Sequence, residues 1–410
     1  MLTYTLFAFL SGVTALVYQV VWTREVALFL GSQIEAISIV LVAFFGGLAA
    51  GARYFGARAD RVRAPLRLFG ILEGAAGALA AASPALLQWL AASPLLGLPP
   101  PARFAIAAAA LFPVAFLLGG TAPALLRAGV REIARTAAGV GWIVGANTAG
   151  AVLGVGVAIA AIPAWGLRAT LSTAGVTALL LGAAAFFLAR PMKHPASSSE
   201  PPFRIPTMPL AAAFAAGIAT LVYEVLAARA AALLLGSTLY AWGCVLALLL
   251  AGLALGTAIF GHRAGRTAQP ELELGLIESA AALAIAAELI WFVPDYALPA
   301  AGLSGWTGGL IALSVFPPAI FMGGAFPYLV RLSVGNLGTL GRAFGTVSAL
   351  NTAGGIAGSL LAPFLLLPAL GLLKSLLFCA GLNGLLGAVF LLRGSVRPRQ
   401  GWGRAALVVL

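Results

Sequence analysis

The chain is written as apolar runs of about twenty residues or more, separated by short basic clusters, and few folds accept such a pattern. A helix crossing the hydrocarbon core of a bilayer needs ~20 mainly apolar residues. On that rule the sequence predicts twelve spans, at 3–30, 36–56, 67–91, 102–127, 138–164, 169–190, 208–236, 239–261, 272–293, 305–330, 342–368 and 372–393. Only 9% of the 410 residues are charged and 61% are hydrophobic, whereas a soluble domain carries about a quarter charged residues. The expected class is an all-α integral membrane protein with twelve transmembrane helices and the lipid bilayer as its main partner. The net charge of +12 does not indicate nucleic acid, because the basic residues gather between apolar runs, as in ARADRVRAPLR at 57–67.

The same basic residues give an orientation. With the N-terminus inside, nineteen of the 24 lysines and arginines fall in cytoplasmic loops and the tail. Arg103, Arg168 and Lys374 fall in outer loops, and Arg24 and Arg229 lie within spans. That bias predicts cytoplasmic termini. The first apolar run has no basic segment before it and no small-residue cleavage site, so it reads as a span rather than a leader. The Pro- and Ser-rich stretch PMKHPASSSEPPFRIP has the composition of an extended connector. The expected organisation is a six-helix bundle over 1–190, a linker at 191–206, a second six-helix bundle over 207–393 and a basic tail at 394–410. Cys244 and Cys379 stand singly in apolar runs, and His194 and His262 lie in or beside loops without partners at ligand spacing. No disulfide, metal or cofactor is expected from them.

The two bundles are copies. ALVYQVVWTREVALFLGS at 15–32 and TLVYEVLAARAAALLLGS at 220–237 share ten of eighteen positions at an offset of 205. Gly47, Gly51 and Glu73 recur as Gly252, Gly256 and Glu278. Pro113, Gly119, Gly120, Pro123 and Arg127 recur as Pro317, Gly323, Gly324, Pro327 and Arg331, and GANTAG at 145–150 answers ALNTAG at 349–354. Units with an even number of spans insert the same way up, which predicts parallel repeats about an axis along the membrane normal.

Six plus six parallel spans resemble the major facilitator superfamily. Its loop between spans two and three, Gly-x-x-x-Asp-Arg followed by basic residues, appears as Gly56-Ala-Arg-Ala-Asp60-Arg61-Val-Arg63. The second half keeps Gly261-His262-Arg263-Ala264-Gly265-Arg266, without the acid. The opening SG-x-x-x-L-x-Y-[EQ]-x-x-[WA]-x-R, followed by LFLGS, resembles the membrane domain of bacterial fused facilitator–spermidine synthase proteins. That resemblance implies a bacterial inner membrane and a polyamine or related cationic metabolite as solute. It also implies a soluble aminopropyltransferase domain, but no Gly-rich strand-to-helix loop followed by an acid occurs in these 410 residues. The expectation is therefore a non-enzymatic membrane part. It either moves a small solute by alternating access or serves as a non-transporting anchor for a separate soluble synthase, docked through the basic tail.

An ionisable residue at bilayer depth costs about 2.5–3.5 kcal/mol and so marks a candidate site. Glu224 lies within span seven, Gln19 is its counterpart in span one, and Tyr18 and Tyr223 precede them. The facilitator resemblance implies that first spans face a central cavity, making these four one substrate-binding patch; a carboxylate beside a tyrosine suits a cation. The alternative is that Glu224 pairs with an arginine to hold the halves together. Asn147 and Asn351, in glycine-rich helices, are further binding candidates. Arg24 and Arg229 are either snorkelling side chains or gate contacts. Glu73 and Glu278, near the cytoplasmic starts of spans three and nine, are expected to pair with the basic loops at 57–67 and 262–270. The resemblance places Asp60 at the N-terminus of span eleven, where the helix dipole favours an anion, with Arg61 beside it as part of the same gate.

Overall fold

The computed structural model describes residues 1–30, 33–93, 97–192, 204–235, 239–292 and 307–395. Most of the expected linker, His194 and the tail beyond residue 395 lie outside the described residues. The described chain is a succession of helices: α1 (Leu2–Leu30), α2 (Gln33–Ala59), α3 (Pro65–Ala92), α4 (Pro100–Gly119), α5 (Thr121–Gly129) and α6 (Thr136–Leu188), then α7 (Thr207–Leu235), α8 (Leu239–Ala264), α9 (Pro270–Phe292), α10 (Thr307–Ser333), α11 (Leu340–Leu361) and α12 (Leu367–Ser395). Among the described residues there is no strand. In hydrocarbon every backbone N–H and C=O needs a partner, and a helix supplies them all from its own segment. Prolines open α3, α4 and α9 at the first position, where the missing N–H costs nothing.

Nine helical segments among the described residues are long and apolar enough to cross a membrane. Two of them, Ile133–Leu188 and Leu337–Ser395, contain 56 and 59 residues. A straight helix of that length would reach about 85 Å at ~1.5 Å per residue, against a hydrocarbon core of ~30 Å. Each is broken instead at one glycine, Gly166 (φ 78°, ψ 168°) and Gly371 (φ 72°, ψ 179°). This backbone region is open essentially to glycine alone. One turn later a hydroxyl returns to the glycine carbonyl: Thr170 Oγ1 donates to Gly166 O at 2.8 Å, and Ser375 Oγ to Gly371 O at 2.6 Å.

These two breaks lie 371 − 166 = 205 residues apart, the offset of the opening motif. Just before them the offset is one less, since Gly150 and Gly154 match Gly354 and Gly358 (354 − 150 = 204). The second copy therefore takes in one extra residue between 358 and 371, and a π-helix at Ala362–Leu366 lies inside that interval. The wider i→i+5 turn absorbs one inserted residue without ending the helix.

Within each copy the helices meet backbone to backbone. A Cβ on Gly51 would lie 1.9 Å from the carbonyl oxygen of Phe116, and one on Gly256 would lie 1.8 Å from that of Ile320. Small residues allow such contact between α2 and α4 and between α8 and α10, where lipid gives no hydrophobic drive to association. The chain forms two compact units: Met1–Ile133 with Ala146–Ile205 and Ser333–Ala353, and Ala134–Gly145 with Pro206–Leu332 and Gly354–Leu410. The opening turns of α6 thus belong to the second unit and those of α11 to the first. Tyr18, Trp22, Phe44 and Leu111 centre the core of the first unit, and Tyr223, Leu226, Leu249 and Ile285 that of the second.

Gly166 and Gly156 both have open space where a Cβ would stand, and they differ in backbone conformation. Gly166→Ala is expected to cost about 1–3 kcal/mol from strain alone. Gly156→Ala, inside a helix, should be neutral or stabilising by up to about 1 kcal/mol. Thermal melting of both variants in detergent checks the contrast, and equal effects would contradict it.

Candidate functional site

In the first unit α1 carries Ser11, Thr14, Tyr18 and Trp22 along the face it turns towards α3. Glu73 of α3, fully buried, accepts from Ser11 Oγ at 2.7 Å and from Thr14 Oγ1 at 3.4 Å. Higher up, Trp22 Nε1 donates to Ser83 Oγ at 2.9 Å, while the Tyr18 hydroxyl donates to the carbonyl of Ala174 in α6 at 3.2 Å. Glu73 thus meets two hydroxyls of α1 rather than the basic loop at 57–67. The reason is depth: it sits eight residues inside α3 (73 − 65 = 8), about 12 Å of helix rise from the turn that carries the arginines.

In the second unit the same register is filled differently. Tyr223, matching Tyr18, donates its hydroxyl to Glu288 of α9, which stands where the first copy has Ser83 (288 − 205 = 83). Glu278, the counterpart of Glu73, is 3% exposed, and among the described residues no side chain bonds to it. The cause is written in the sequence, because Ser11 and Thr14 are replaced by Ala216 and Ala219. The expected pairing of Glu278 with the loop at 262–270 is likewise absent among the described residues. In that loop Arg263 Nε pairs with Glu273 at 3.2 Å, and the Tyr328 hydroxyl donates to the same oxygen at 2.6 Å. Cys379 Sγ donates to the carbonyl of Ala219, and Asn383 Nδ2 to the carbonyl of Cys379, so the polar contacts of this interior extend from α7 into α12.

Tyr18 and Tyr223 are both buried in the cores of their own units, which corrects the expectation that they share a patch with Gln19 and Glu224. Successive helix residues point about 100° apart, so a tyrosine turned into its bundle leaves the next residue to another face. Gln19 and Glu224 are half-buried, and within its own bundle and among the described residues Glu224 has no hydrogen-bond or ion-pair partner. Asn147 donates Nδ2 to the carbonyl of Ala8 at 3.0 Å, tying α6 to α1. Asn351 is half-buried in α11. Arg24 is half-buried and Arg229 exposed.

The carboxylate of Asp60, just past α2, closes on the first turn of α11. Its two oxygens accept from the backbone N–H groups of Gly341 and Arg342, each at 2.8 Å, the geometry by which a helix N-terminus holds an anion. Arg127 of α5 stands 3.5 Å away with both side chains buried. Burial pushes the Asp60 carboxyl up to about 6, against the opposing pull of those two N–H groups and of the Arg127 and Arg342 charges. Arg61 is exposed, and no side chain among the described residues bonds to it; the arginine that meets Asp60 is Arg127. In the second copy Gly265 occupies the place of Asp60 (265 − 60 = 205), and Arg331 instead donates to the carbonyls of Ala264 and Thr267.

Two of these residues carry little signal in the sequence: Arg127 shows only as a residue repeated in the second copy, and Glu288 only by its alignment with a polar Ser83.

The whole described chain superposes on solved transporters. The Escherichia coli fucose:proton symporter matches with a TM-score of 0.62 at 16% identity, over 96% of this chain and 98% of that one. A bacterial homologue of the iron transporter ferroportin matches at 0.63 and 15%, over 96% and 99%, and the human organic anion transporter at 0.58 and 16%, over 95% and 99%. The symporter is a major facilitator superfamily transporter. The fold is that of the major facilitator superfamily. No family model and no curated protein matches the sequence. The chain is therefore a multi-pass membrane protein with a major facilitator fold, and what it does has to be argued from its own polar residues.

The two tyrosines offer a matched test. Tyr18→Phe removes a bond to a neutral carbonyl and should cost about 1 kcal/mol, whereas Tyr223→Phe removes the donor of a buried carboxyl and should cost about 1.5–3 kcal/mol. Chemical or thermal unfolding of both variants in one detergent measures the difference, and a larger cost at Tyr18 would overturn the assignment.

Proposed function

We propose that this chain is a secondary transporter of the inner bacterial membrane that carries a small cationic solute by alternating access between two pseudo-symmetric halves. The observation that carries the reading is Glu224, a carboxyl at membrane depth that holds nothing within its own bundle and among the described residues. A group costing about 2.5–3.5 kcal/mol to insert, with no structural bond to offset it, is best explained by a cation that visits. The polyamine class rests on the resemblance of the opening motif to fused facilitator–spermidine synthase proteins. Gln19, in the same register of α1, and the amides Asn147 and Asn351 are the accompanying candidates for solute contact. Asp60, held by the first turn of α11 and flanked by Arg127, is the proposed cytoplasmic latch, with Arg61 at its rim. Arg24 and Arg229 are the candidate contacts at the opposite ends of α1 and α7. Glu73 and Glu278 are candidates for coupling, and the lack of donors around Glu278 favours it over Glu73.

Uptake of labelled putrescine and spermidine into proteoliposomes, with and without an imposed proton gradient, tests this reading. Wild type should show saturable flux, and Glu224→Gln should reduce it about tenfold or more, as loss of a charge-assisted bond implies. Absence of flux from folded wild-type protein, in both directions and with both amines, would remove the polyamine proposal.

A further inference from the structure

At the end of the first unit opposite the arginine-rich turn, a cavity of about 450 Å³ opens between α1, α3 and the break in α6. Its walls are Glu25, Leu87, Gln88, Trp165 and Arg168, with Leu28 at the edge. That volume lies within the ~300–1,000 Å³ of small-molecule sites. The sequence builds it from three neighbouring features. Glu25 is one turn beyond Trp22, whose indole N–H is anchored on Ser83; Leu87 is one turn beyond Ser83; and Trp165 and Arg168 flank the Gly166 break in sequence and join the lining.

The polar lining is not part of the scaffold. In the second copy, which keeps the glycine break, Glu25, Trp165 and Arg168 are replaced by Ala230, Leu370 and Leu373, each at offset 205. A bent helix pair therefore forms without them. Glu25 is 8% exposed, and among the described residues it has neither a hydrogen bond nor an ion pair. Arg168 lines the same cavity, and the two form no ion pair. A buried anion on the floor and an exposed cation at the rim, held apart, leave a gap for a group that carries both complementary charges. Two exposed tryptophans accompany the cavity, Trp165 in its lining at 61% and Trp89 next to Gln88 at 63%, the residue type that gathers at headgroup level in the aromatic belts of membrane proteins. Leu28 and Leu86 beside them are exposed apolar surface suited to acyl chains.

We infer that this cavity binds the headgroup of a zwitterionic lipid with a terminal primary ammonium next to a phosphate, as in phosphatidylethanolamine. The ammonium reaches Glu25 on the floor, with the Trp165 ring beside it, and the phosphate meets Arg168 and Gln88 at the rim. This order, cation deep and anion shallow, matches a headgroup entering from the bilayer surface. A phosphatidylcholine headgroup has no N–H to donate to Glu25, and phosphatidylglycerol has no cation. The inference is independent of which solute the protein carries.

The test uses the full chain in detergent, titrated with short-chain phosphatidylethanolamine, phosphatidylcholine and phosphatidylglycerol and with free phosphoethanolamine, read by thermal shift and native mass spectrometry. Phosphatidylethanolamine should bind best, and Glu25→Gln and Arg168→Gln should each weaken it about tenfold. Arg168 is exposed, so its variant should fold even if Glu25→Gln does not. Equal binding of all three lipids, or ethanolamine-lipid binding that Arg168→Gln leaves unchanged, would overturn the site. Free phosphoethanolamine binding as tightly as the lipid would overturn the lipid as its occupant.

Discussion

A carboxyl carried into hydrocarbon must find a hydrogen-bond donor, give up its charge, or keep a route to water, and this chain resolves that demand differently at each of its buried acids. Glu73 finds Ser11 and Thr14, and Glu288 finds Tyr223. Glu278 sits among alanines where those hydroxyls would be, and Glu224 lies on a half-buried face with nothing bonded to it within its bundle. The first two are parts of the packing. The last two represent unreturned cost, and such cost persists in a fold when something outside the described structure offsets it.

Duplication makes this contrast readable, because each copy is a control for the other. What both copies retain is architecture: the glycine breaks with their returning hydroxyls, the tyrosines in the core, and the glycines that let α2 reach α4 and α8 reach α10. What only one copy retains is where the halves have taken on separate work. Asp60 latches α11, while Gly265 leaves Arg331 to backbone carbonyls. Glu25, Trp165 and Arg168 line a cavity whose counterparts are Ala230, Leu370 and Leu373.

The helical, membrane-spanning class was legible because apolar runs of bilayer length have a single solution in lipid, and the repeat was legible because its motif is long. Side-chain direction was not legible. Tyr18 and Gln19 are neighbours in sequence, yet a single helical step separates a fully buried residue from a half-buried one. Proximity in sequence pairs Glu73 with the basic loop, whereas Ser11 and Thr14, 62 and 59 residues away, hold it. Nothing local distinguishes Glu288; only its alignment with Ser83 and the reach of Tyr223 across the bundle give it a role. The π-turn at Ala362–Leu366 was hidden too, although the change of offset from 204 to 205 records it.

In the proposed transport cycle the carboxyl at 224 meets water and solute, whereas the one at 73 stays bonded to the α1 hydroxyls. Aqueous thiol labelling in membranes tests it most directly. Glu224→Cys and Glu73→Cys are compared in a background with Cys244→Ser and Cys379→Ala, the latter being the residue the first copy carries at Ala174. Position 224 should react with a charged, membrane-impermeant reagent and be protected by spermidine, while position 73 stays inert. Equal silence at both positions in folded protein, or reaction at 73 alone, would contradict it.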